Sequence, residues 1–186
     1  MKTLFSSEAI AARVAELGRE IARDYRDRNL VLVCSLKGAF VFTADLARAI
    51  DLPLRIEFIR AESYGGATVS SGSVRIHEVT DLALDGCDLI LVEDIVDTGR
   101  TSTRLLEVLR AHRPASLKLA SLLYKPSRQV VAVPIDYLGF RIEDEFVVGY
   151  GMDQAGLHRN LPYLGVVEFK GGSPERGPKP PAGGTR

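Results

Sequence analysis

The chain has 186 residues, of which 46% are apolar and 26% are charged, as in an ordinary soluble globular protein large enough to build one core. Lysine plus arginine number 24 and aspartate plus glutamate also number 24, so nothing in the charge indicates a nucleic-acid or an anionic-membrane surface. The two cysteines, Cys34 and Cys87, lie far apart, which argues against a disulfide scaffold, and the three scattered histidines indicate no zinc site.

The segment that ends at Tyr25 is predicted to form an amphipathic helix. Ser6 and Ser7 precede Glu8, and hydroxyl side chains followed by an acid favour a helix start. Apolar side chains then recur along one helical face at Ile10, Val14, Leu17, Ile21 and Tyr25. A signal peptide needs a continuous apolar stretch, and no run in the chain approaches the length of a membrane span, so we expect a cytoplasmic protein.

Beyond this helix, apolar strand patterns alternate with helical patterns. We predict helices over residues 39–50 and behind residue 101, and strands over residues 30–36, 54–60, 73–78, 88–92, 117–124, 135–140, 146–150 and 165–169. This alternation, with strands that are apolar throughout, predicts a mainly parallel sheet covered by helices on both faces. Ligands bind such sheets beyond the carboxyl ends of the strands, so the loops that follow the strands are the candidate sites.

Residues 171–186 differ from the rest of the chain in composition. Nine of these sixteen residues are glycine or proline, and none is a large apolar residue. Such a segment cannot bury enough surface to offset the entropy that is lost on ordering. We therefore predict a single domain over residues 1–170 and a disordered tail over residues 171–186.

Two loops in the first half of the chain could each bind an anion or simply connect two elements. Lys37 and Gly38 follow the strand at 30–36, and a lysine with a glycine in a turn can present a cation and close backbone N–H groups. Segment 62–73 is rich in glycine and serine and lies between two extended pieces. Composition alone favours a plain connection at the first loop and a flexible hairpin connection at the second.

Residues 89–110 contain the most distinctive pattern. An apolar strand leads into Glu93 and Asp94, and the turn 97–101, Asp-Thr-Gly-Arg-Thr, then opens a helix. A turn rich in glycine and hydroxyl residues offers unpaired N–H groups and the positive end of the helix dipole to a phosphate. Carboxylates repel phosphate, so three acids here indicate a ligand that also carries sugar hydroxyls and arrives with a divalent metal. The spacing of the glycines excludes the ATP/GTP loop and the dinucleotide fingerprint.

This pattern resembles the phosphoribosyl diphosphate (PRPP) signature of the type I phosphoribosyltransferases, and in particular that of the hypoxanthine-guanine branch. The resemblance extends over about residues 5–169. It implies the α/β fold of that family, a mainly parallel twisted sheet flanked by helices, with a small hood over the active site. It also implies small-molecule substrates, PRPP and a purine base, and assembly into a homodimer or a homotetramer.

The reaction that the resemblance implies transfers the 5-phosphoribosyl group of PRPP to a 6-oxopurine in the presence of Mg²⁺. Hypoxanthine and guanine would give IMP and GMP, with release of pyrophosphate, in purine salvage. Two alternatives stay open. One is a relative that prefers xanthine, and the other is a regulator that keeps the fold and senses nucleotides without catalysis.

The resemblance also implies a role for each acid of the signature. Asp97 would be the general base that accepts the N7 proton of the purine. Glu93 and Asp94 would lie near the ribose hydroxyls and the metal, which we expect only if the strand has ended before them, because successive strand residues point to opposite faces. The implied PRPP- and phosphate-binding residues are Glu93, Asp94, Asp97, Thr98, Gly99, Arg100 and Thr101.

Further contacts implied by the resemblance lie outside this stretch. The pyrophosphate contacts are Lys37 and Gly38, Ser63 and Tyr64 of a mobile lid, and Arg159. The purine contacts are Lys125, which would donate to the 6-oxo group, Phe146, Val147 and Asp153, and the Mg²⁺ ligands are Glu93, Asp94 and Asp153. The peptide bond before Lys37 can be cis in the family. The sequence departs from the family at Gln154 and His158, where aromatic residues are frequent.

Overall fold

The computed structural model describes residues 1–63, 74–78 and 83–167. The α-helices in these ranges are α1 (Ser7–Asp24), α2 (Phe40–Ala49) and α3 (Arg100–Ala111), and a 3₁₀ turn spans Pro126–Arg128. The strands are β1 (Lys2–Phe5), β2 (Leu30–Leu36), β3 (Arg55–Ser63), β4 (Val74–Glu78), β5 (Asp88–Val96), β6 (Ser116–Tyr124), β7 (Tyr137–Arg141), β8 (Val147–Val148) and β9 (Leu164–Val166). Tyr64, the side chain of Ser63 and the tail predicted over 171–186 lie outside the described residues.

The larger sheet has the strand order β4-β3-β2-β5-β6-β7. All neighbouring pairs are parallel except β3 with β4, so the prediction of a mainly parallel sheet is confirmed. Strands β2 and β5 are the two central strands, and they run side by side from Leu30↔Asp88 to Cys34↔Val92. The loops that follow them therefore leave the sheet next to each other.

Helices cover both faces of this sheet because alternate residues of the central strands are buried on opposite sides. Leu32 and Ile90 belong to the core that contains the apolar residues of α1 and α2. Val31 and Leu89 belong to the core that contains the apolar residues of α3. Two buried faces explain why these strands are apolar throughout instead of alternating with polar residues.

The predicted N-terminal helix is confirmed as α1. The side chain of Ser6 caps it, since its hydroxyl oxygen accepts a hydrogen bond from the backbone N–H of Ala9 at 3.2 Å. The predicted apolar face is buried at Ile10, Val14, Leu17, Ile21 and Tyr25. Helix α2 also forms where it was predicted. A Cβ on Gly18 of α1 would lie 2.4 Å from the carbonyl oxygen of Ala49, so the glycine lets the two helices approach closely.

Strand β5 is longer than predicted. It continues through Val96, because its pairing with β6 runs on through Glu93↔Ser121, Ile95↔Leu123 and Val96↔Tyr124. The expectation that the strand would end before Glu93 is therefore wrong. Glu93 and Asp94 lie inside the strand and point to opposite faces of the sheet.

The last two predicted strands are shorter than expected. Strand β8 stops at Val148 because Gly149, Tyr150 and Gly151 have φ values of 99°, 49° and 100°, which no strand residue adopts. Strand β9 is confined to Leu164–Val166 within the described residues.

A second, smaller sheet has the strand order β1-β9-β8 and is antiparallel. Its strand β1 was not predicted. The ring of Phe5 at the end of β1 stacks on Phe140 of β7, with centroids 4.1 Å apart, which joins the small sheet to the edge of the large one. Within the described ranges, no helix is both long enough and apolar enough to cross a membrane.

Candidate active site

A cleft of about 440 Å³ opens at the carboxyl ends of β2 and β5. Three segments form it: the turn after β2, the end of β5 with the turn into α3, and the loop that follows β8. The residues that line it are Ser35, Leu36, Lys37, Gly38, Ala61, Glu93, Asp94, Ile95, Asp97, Thr98, Gly99, Thr101, Ser102, Asp153 and Arg159. Most of the residues proposed from the sequence for PRPP and pyrophosphate therefore meet in one place. Arg100 is exposed and is absent from this described lining.

The turn between β5 and α3 is held in place by the loop that follows β6. The carbonyl oxygen of Thr98 accepts hydrogen bonds from the backbone N–H groups of Val130 and Val131, both at 3.0 Å. Gly99 has a φ of 80°, and a Cβ on it would lie 2.2 Å from the carbonyl oxygen of Val131. Only glycine fits this position without strain. The turn 97–101 is thus packed against the loop that follows β6.

Helix α3 begins at Arg100 without a hydrogen bond from the side chain of its N-cap residue, which is Gly99. The hydroxyl oxygen of Thr98 approaches the N–H of Arg100 at 3.5 Å, the long end of the hydrogen-bond range. A helix start with N–H groups available to a ligand, at the positive end of the helix dipole, suits an anion. Thr101 is exposed on the cleft side and adds a hydroxyl.

The two acids of β5 differ in their surroundings. Glu93 is 5% exposed on the α3 face, where the hydroxyl of Ser102 donates to it at 3.4 Å. Burial, reinforced by the charge of Asp94, raises the pKa of Glu93 to about 8. Asp94 lies on the opposite face against the turn after β2, and burial raises its pKa to about 6. Both carboxyl groups belong to residues that line the cleft, although they leave opposite faces of the strand.

The turn after β2 packs closely against Asp94. The Leu36–Lys37 peptide bond is cis, as the resemblance allowed. A Cβ on Gly38 would lie 1.7 Å from the Oδ2 atom of Asp94, so a larger residue would displace that carboxylate. Lys37 is exposed and extends along the cleft wall. This turn therefore brings a cation to the mouth of the cleft and a glycine to its floor.

The loop after β8 supplies an ion pair to the same cleft. Asp153 and Arg159 are 2.5 Å apart, and Nη1 of Arg159 also donates to the carbonyl oxygen of Gly151 at 2.6 Å. The second carboxylate oxygen of Asp153 accepts from the N–H of Gly156 at 2.7 Å. A Cβ on Gly151 would lie 2.3 Å from the carbonyl oxygen of Gly38, which shows how closely this loop covers the turn after β2.

The departures noted in the sequence lie in a tight turn between these two residues. Gln154 and Leu157 form an antiparallel bridge, and Ala155, Gly156 and His158 have positive φ values of 51°, 84° and 75°. The turn closes on itself and brings Asp153 back to Arg159. The geometry of the ion pair is thus set by the backbone of the turn rather than by aromatic packing.

The residues proposed for the purine lie to one side of the cleft. Of these, only Asp153 lines the cleft in the described part of the chain. Lys125 follows β6, is buried, and is fixed by a backbone hydrogen bond from its N–H to the carbonyl oxygen of Val96 at 3.0 Å. Phe146 is 38% exposed, and Val147 is buried at the start of β8.

Sequence reasoning missed two charged residues that connect the purine side to the signature. The Nζ atom of Lys125 contacts Asp144 at 3.4 Å, and Nε of Arg128 contacts Asp144 at 3.7 Å. The same Nε atom donates to Asp97 at 3.2 Å. Arg128 lies three residues after Lys125, but nothing in the spacing signals Asp144. Ser102, which also was not proposed, could have been found as the next hydroxyl residue of the signature helix.

Comparisons with known proteins identify the family of this chain. The family model described as "Phosphoribosyl transferase domain" matches residues 1–155. A hypoxanthine-guanine phosphoribosyltransferase of Streptococcus thermophilus is 43% identical over 167 residues, which cover 90% of this chain and 93% of that protein. A hypoxanthine phosphoribosyltransferase of Haemophilus influenzae is 46% identical, with 88% of this chain and 93% of that protein covered.

Solved structures give the same result for the fold. A hypoxanthine-guanine phosphoribosyltransferase of Bacillus anthracis superposes with a TM-score of 0.85 at 42% identity, and the match covers 90% of this chain and 99% of that one. A hypoxanthine phosphoribosyltransferase of Staphylococcus aureus gives a TM-score of 0.84 at 39% identity, over 90% of this chain and 91% of that one. The chain therefore belongs to the type I phosphoribosyltransferase family, in the branch of the hypoxanthine-guanine enzymes.

Proposed function

We propose that the protein transfers the 5-phosphoribosyl group of PRPP to a 6-oxopurine, hypoxanthine and also guanine, and releases pyrophosphate in purine salvage. The observation that carries this proposal is the single cleft in which the turn 97–101, the acids of β5 and the cations Lys37 and Arg159 converge. A phosphate site, acids for ribose hydroxyls and cations for a leaving pyrophosphate match the three parts of PRPP.

Each part of PRPP has its own set of side chains in this proposal. The start of α3 holds the 5-phosphate through backbone N–H groups and the hydroxyls of Thr98 and Thr101. Lys37 and Arg159 neutralise the charge that develops on the leaving pyrophosphate. Gly38 lets the backbone approach the ligand, and Arg100, at the first position of α3, adds positive charge near the 5-phosphate. The lid residues Ser63 and Tyr64 would exclude water from the reacting carbon.

The acids of the cleft fit a divalent cation. Burial raises the pKa of both Glu93 and Asp94, and a bound cation would favour their ionised forms. Among the described residues no three acid, histidine or cysteine side chains converge to enclose a metal ion. Mg²⁺, which retains several waters and uses few carboxylates, suits such an open set, with Glu93, Asp94 and Asp153 as candidate ligands. When bound, it would polarise the pyrophosphate leaving group.

On the purine side, Asp97 accepts the N7 proton as N9 attacks the ribose carbon. Lys125 donates to the 6-oxo oxygen, which adenine lacks. Phe146 stacks on the base, and the backbone of Val147 bonds its edge, while Asp153 lies near the same edge. Stacking accepts any planar base, so the hydrogen bond from Lys125 carries the discrimination.

A panel of bases tests the proposal. The purified protein, with PRPP and Mg²⁺, is offered hypoxanthine, guanine, xanthine, adenine and uracil separately, and pyrophosphate release is measured with nucleotide formation. We expect IMP and GMP, and no product from adenine or uracil. Product from xanthine alone would identify the xanthine-preferring alternative, and pyrophosphate release with none of the bases would contradict the enzymatic proposal.

Lys125→Ala tests the assignment of the purine contact. We expect a higher KM for hypoxanthine and weaker discrimination against adenine, because the donor to the 6-oxo oxygen is gone. Loss of one hydrogen bond from a charged donor should raise the KM for hypoxanthine about tenfold to hundredfold. Lys2→Ala, at an exposed lysine of β1, is the matched control. Unchanged selectivity in Lys125→Ala would remove that residue from the purine site.

The assembly, location and domain limits belong to the same proposal. We expect a homodimer or homotetramer, in which the half-exposed Phe40, Ile56 and Phe58 would find partners. Light scattering coupled to size exclusion measures this. A cytoplasmic location agrees with the free, buried thiols of Cys34 and Cys87. Limited proteolysis tests the proposed boundary between residues 1–170 and 171–186, and cleavage confined to the tail is the expected result.

A further inference from the structure

Four charged side chains of alternating sign form a row between the purine side and the signature turn. In order they are Lys125, Asp144, Arg128 and Asp97. The Oδ1 atom of Asp144 contacts both Nζ of Lys125, at 3.4 Å, and Nε of Arg128, at 3.7 Å. Nε of Arg128 is also 3.2 Å from Oδ1 of Asp97. Each of the two inner residues therefore has two partners of opposite charge.

The backbone places Arg128 in this row. The N–H of Arg128 donates to the carbonyl oxygen of Lys125 at 3.2 Å and closes the 3₁₀ turn Pro126–Arg128. The N–H of Lys125 in turn donates to the carbonyl oxygen of Val96, the residue before Asp97. Hydrogen bonds therefore fix both ends of the turn. The side chain of Arg128 is carried to Asp97 by the same short segment that presents Lys125.

In this arrangement Arg128 occupies one of the two carboxylate oxygens of the proposed base. Oδ1 of Asp97 accepts the hydrogen bond from Nε of Arg128. In the proposed function Asp97 must accept the N7 proton of the purine. An oxygen that already accepts from a guanidinium is less accessible to a second donor, and the Arg128 side chain also fills space beside the carboxylate. Departure of Arg128 would leave both carboxylate oxygens of Asp97 available to the purine.

We propose that Arg128 and Asp144 couple recognition of the 6-oxo group by Lys125 to the release of Asp97. When Lys125 donates to the purine oxygen, Asp144 loses one of its two cations, and Arg128 moves from Asp97 to Asp144. Asp97 is then free to accept the proton. The inference rests on the proposed function and adds two positioning residues, Arg128 and Asp144, to it.

Three of the four side chains in the row are solvated, which makes an exchange of partners inexpensive. The exposed fractions are 49% for Arg128, 40% for Asp97 and 53% for Asp144, whereas Lys125 is only 11% exposed. Exchanging partners between exposed ions costs little, because water screens each pair. The net charge of the row stays constant, since one cation changes partner and none is created.

The coupling also predicts how the enzyme treats adenine. Adenine carries a 6-amino group, which cannot accept a hydrogen bond from Lys125. Lys125 then stays on Asp144, Arg128 stays on Asp97, and the proton acceptor remains occupied. Discrimination against adenine would thus act on turnover as well as on binding, which a purine contact alone would not produce.

A double-mutant cycle tests the coupling. We expect Asp144→Asn to lower kcat with hypoxanthine about tenfold and to leave the KM for PRPP unchanged. The loss in kcat is smaller than the full contribution of a general base, because Asp97 is still present. Arg128→Met should keep kcat near that of the wild type and raise turnover of adenine relative to hypoxanthine. In Arg128→Met/Asp144→Asn, kcat should equal that of Arg128→Met alone. Equal losses from Asp144→Asn with and without Arg128 would overturn the coupling.

The matched control is the exposed pair Arg104 and Glu107 on α3, which are 2.9 Å apart. Arg104→Met/Glu107→Gln removes an ion pair of the same type outside the row. We expect its kcat and its selectivity to equal those of the wild type. A loss like that of Asp144→Asn would mean that the effect arises from removing any surface ion pair, and it would overturn the coupling.

A spectroscopic measurement separates failure of the coupling from failure of the proposed function. The ¹⁵Nε–H resonance of Arg128, assigned by its loss in Arg128→Met, is followed while IMP or AMP is added. We expect IMP to shift it in the wild type but not in Asp144→Asn, and AMP to leave it in place. A wild-type protein that forms IMP without this shift contradicts the coupling alone. A protein that forms no nucleotide from any base contradicts the function.

Discussion

The three acids of the signature have different environments, and this difference separates their roles. Asp97 is partly exposed and bonded to Arg128 at 3.2 Å. Glu93 is buried beside the hydroxyl of Ser102, and Asp94 is pressed against Gly38. A buried acid tends to retain its proton, whereas a partly exposed acid at the edge of a cleft can exchange a proton with a ligand. The proposed base is thus the most exposed of the three acids.

Asp97→Asn should lower kcat for hypoxanthine by about 10²-fold or more, the usual contribution of a general base. Asparagine keeps the size of the side chain and can still accept a hydrogen bond from Arg128, so the KM for PRPP should change little. Steady-state kinetics measured against both substrates check this. If kcat were unchanged, another group would have to accept the N7 proton.

The stability of the ligand-free protein should depend on pH through Glu93. Its pKa is about 8 in the folded protein against an ordinary value of 4.5, because burial disfavours the ionised form. As pH rises from about 4.5 to about 8, the unfolded chain loses this proton while the folded protein retains it, so the free energy of unfolding falls. Asp94 contributes in the same direction up to about pH 6.

Glu93→Gln removes this titration. The Tm of the variant should therefore fall less than the Tm of the wild type between about pH 5 and about pH 8. Thermal denaturation without Mg²⁺ or PRPP measures both curves, and Glu107→Gln, at an exposed position of α3, is the control. Parallel curves for wild type and Glu93→Gln would show that Glu93 keeps an ordinary pKa.

The sequence could predict some site residues and not others for a physical reason. The turn 97–101 is contiguous, and its helix start and hydroxyls create an anion site from local geometry alone. The contact of Arg128 with Asp97 spans 31 residues of sequence. Charged residues are numerous at any surface, and no local rule tells which two will meet when two loops fold together.

At the level of elements, Gly99 joins β5 to α3 in a conformation that only glycine adopts readily. Backbone strain alone should make Gly99→Ala destabilise the protein by about 1–3 kcal/mol. The overlap of the new Cβ, 2.2 Å from the carbonyl oxygen of Val131, should increase this loss of stability. Gly86→Ala is the matched control, since Gly86 has a φ of 68° and open space around its Cβ position.

Chemical denaturation of both variants measures the difference between strain alone and strain with overlap. We also expect the KM for PRPP to rise in Gly99→Ala and not in Gly86→Ala, because the overlap moves the turn proposed to bind the 5-phosphate. Equal destabilisation in the two variants would mean that the loop after β6 yields to the new side chain.

Element boundaries were predicted less well than element types. The apolar run of β5 ends at Val92, and the polar residues Glu93 and Asp94 that follow suggested that the strand had ended. The strand in fact continues for four more residues, 93–96. Pairing with β6 extends the strand to Val96, and this pairing is set by tertiary structure rather than by composition. The opposite error occurred at β8, where positive φ values end a pattern that was otherwise typical of a strand.

At the scale of the whole molecule, the fold class could be predicted from the strands. A strand that is buried on both faces is apolar throughout, and this composition can be seen in the sequence. The small sheet left no such signal. Its strand β1 pairs Lys2 with Val166, from opposite ends of the described chain, and it is only four residues long. Short strands that pair over long separations are specified by the completed core, which no local window contains.

PRPP with Mg²⁺ should stabilise the whole protein. A ligand that binds only the folded state adds about 2.7 kcal/mol at about 100 times its Kd. For a chain of this size the expected increase in Tm is about 5–10 °C. Differential scanning fluorimetry measures it, with Mg²⁺ plus sulfate at matched ionic strength as the control. An equal shift with sulfate would indicate a general anion effect instead of PRPP binding.

The hydrogen bonds from Val130 and Val131 to Thr98 have a consequence for how the specificity of this protein can change. They fasten the loop that follows Lys125 to the turn 97–101, the proposed phosphate site. An insertion or deletion in the loop after β6 would therefore move the turn 97–101. Binding of the purine and of PRPP would then change together. We therefore expect base preference to change more readily through exchanges of side chains on a loop of fixed length than through changes of loop length.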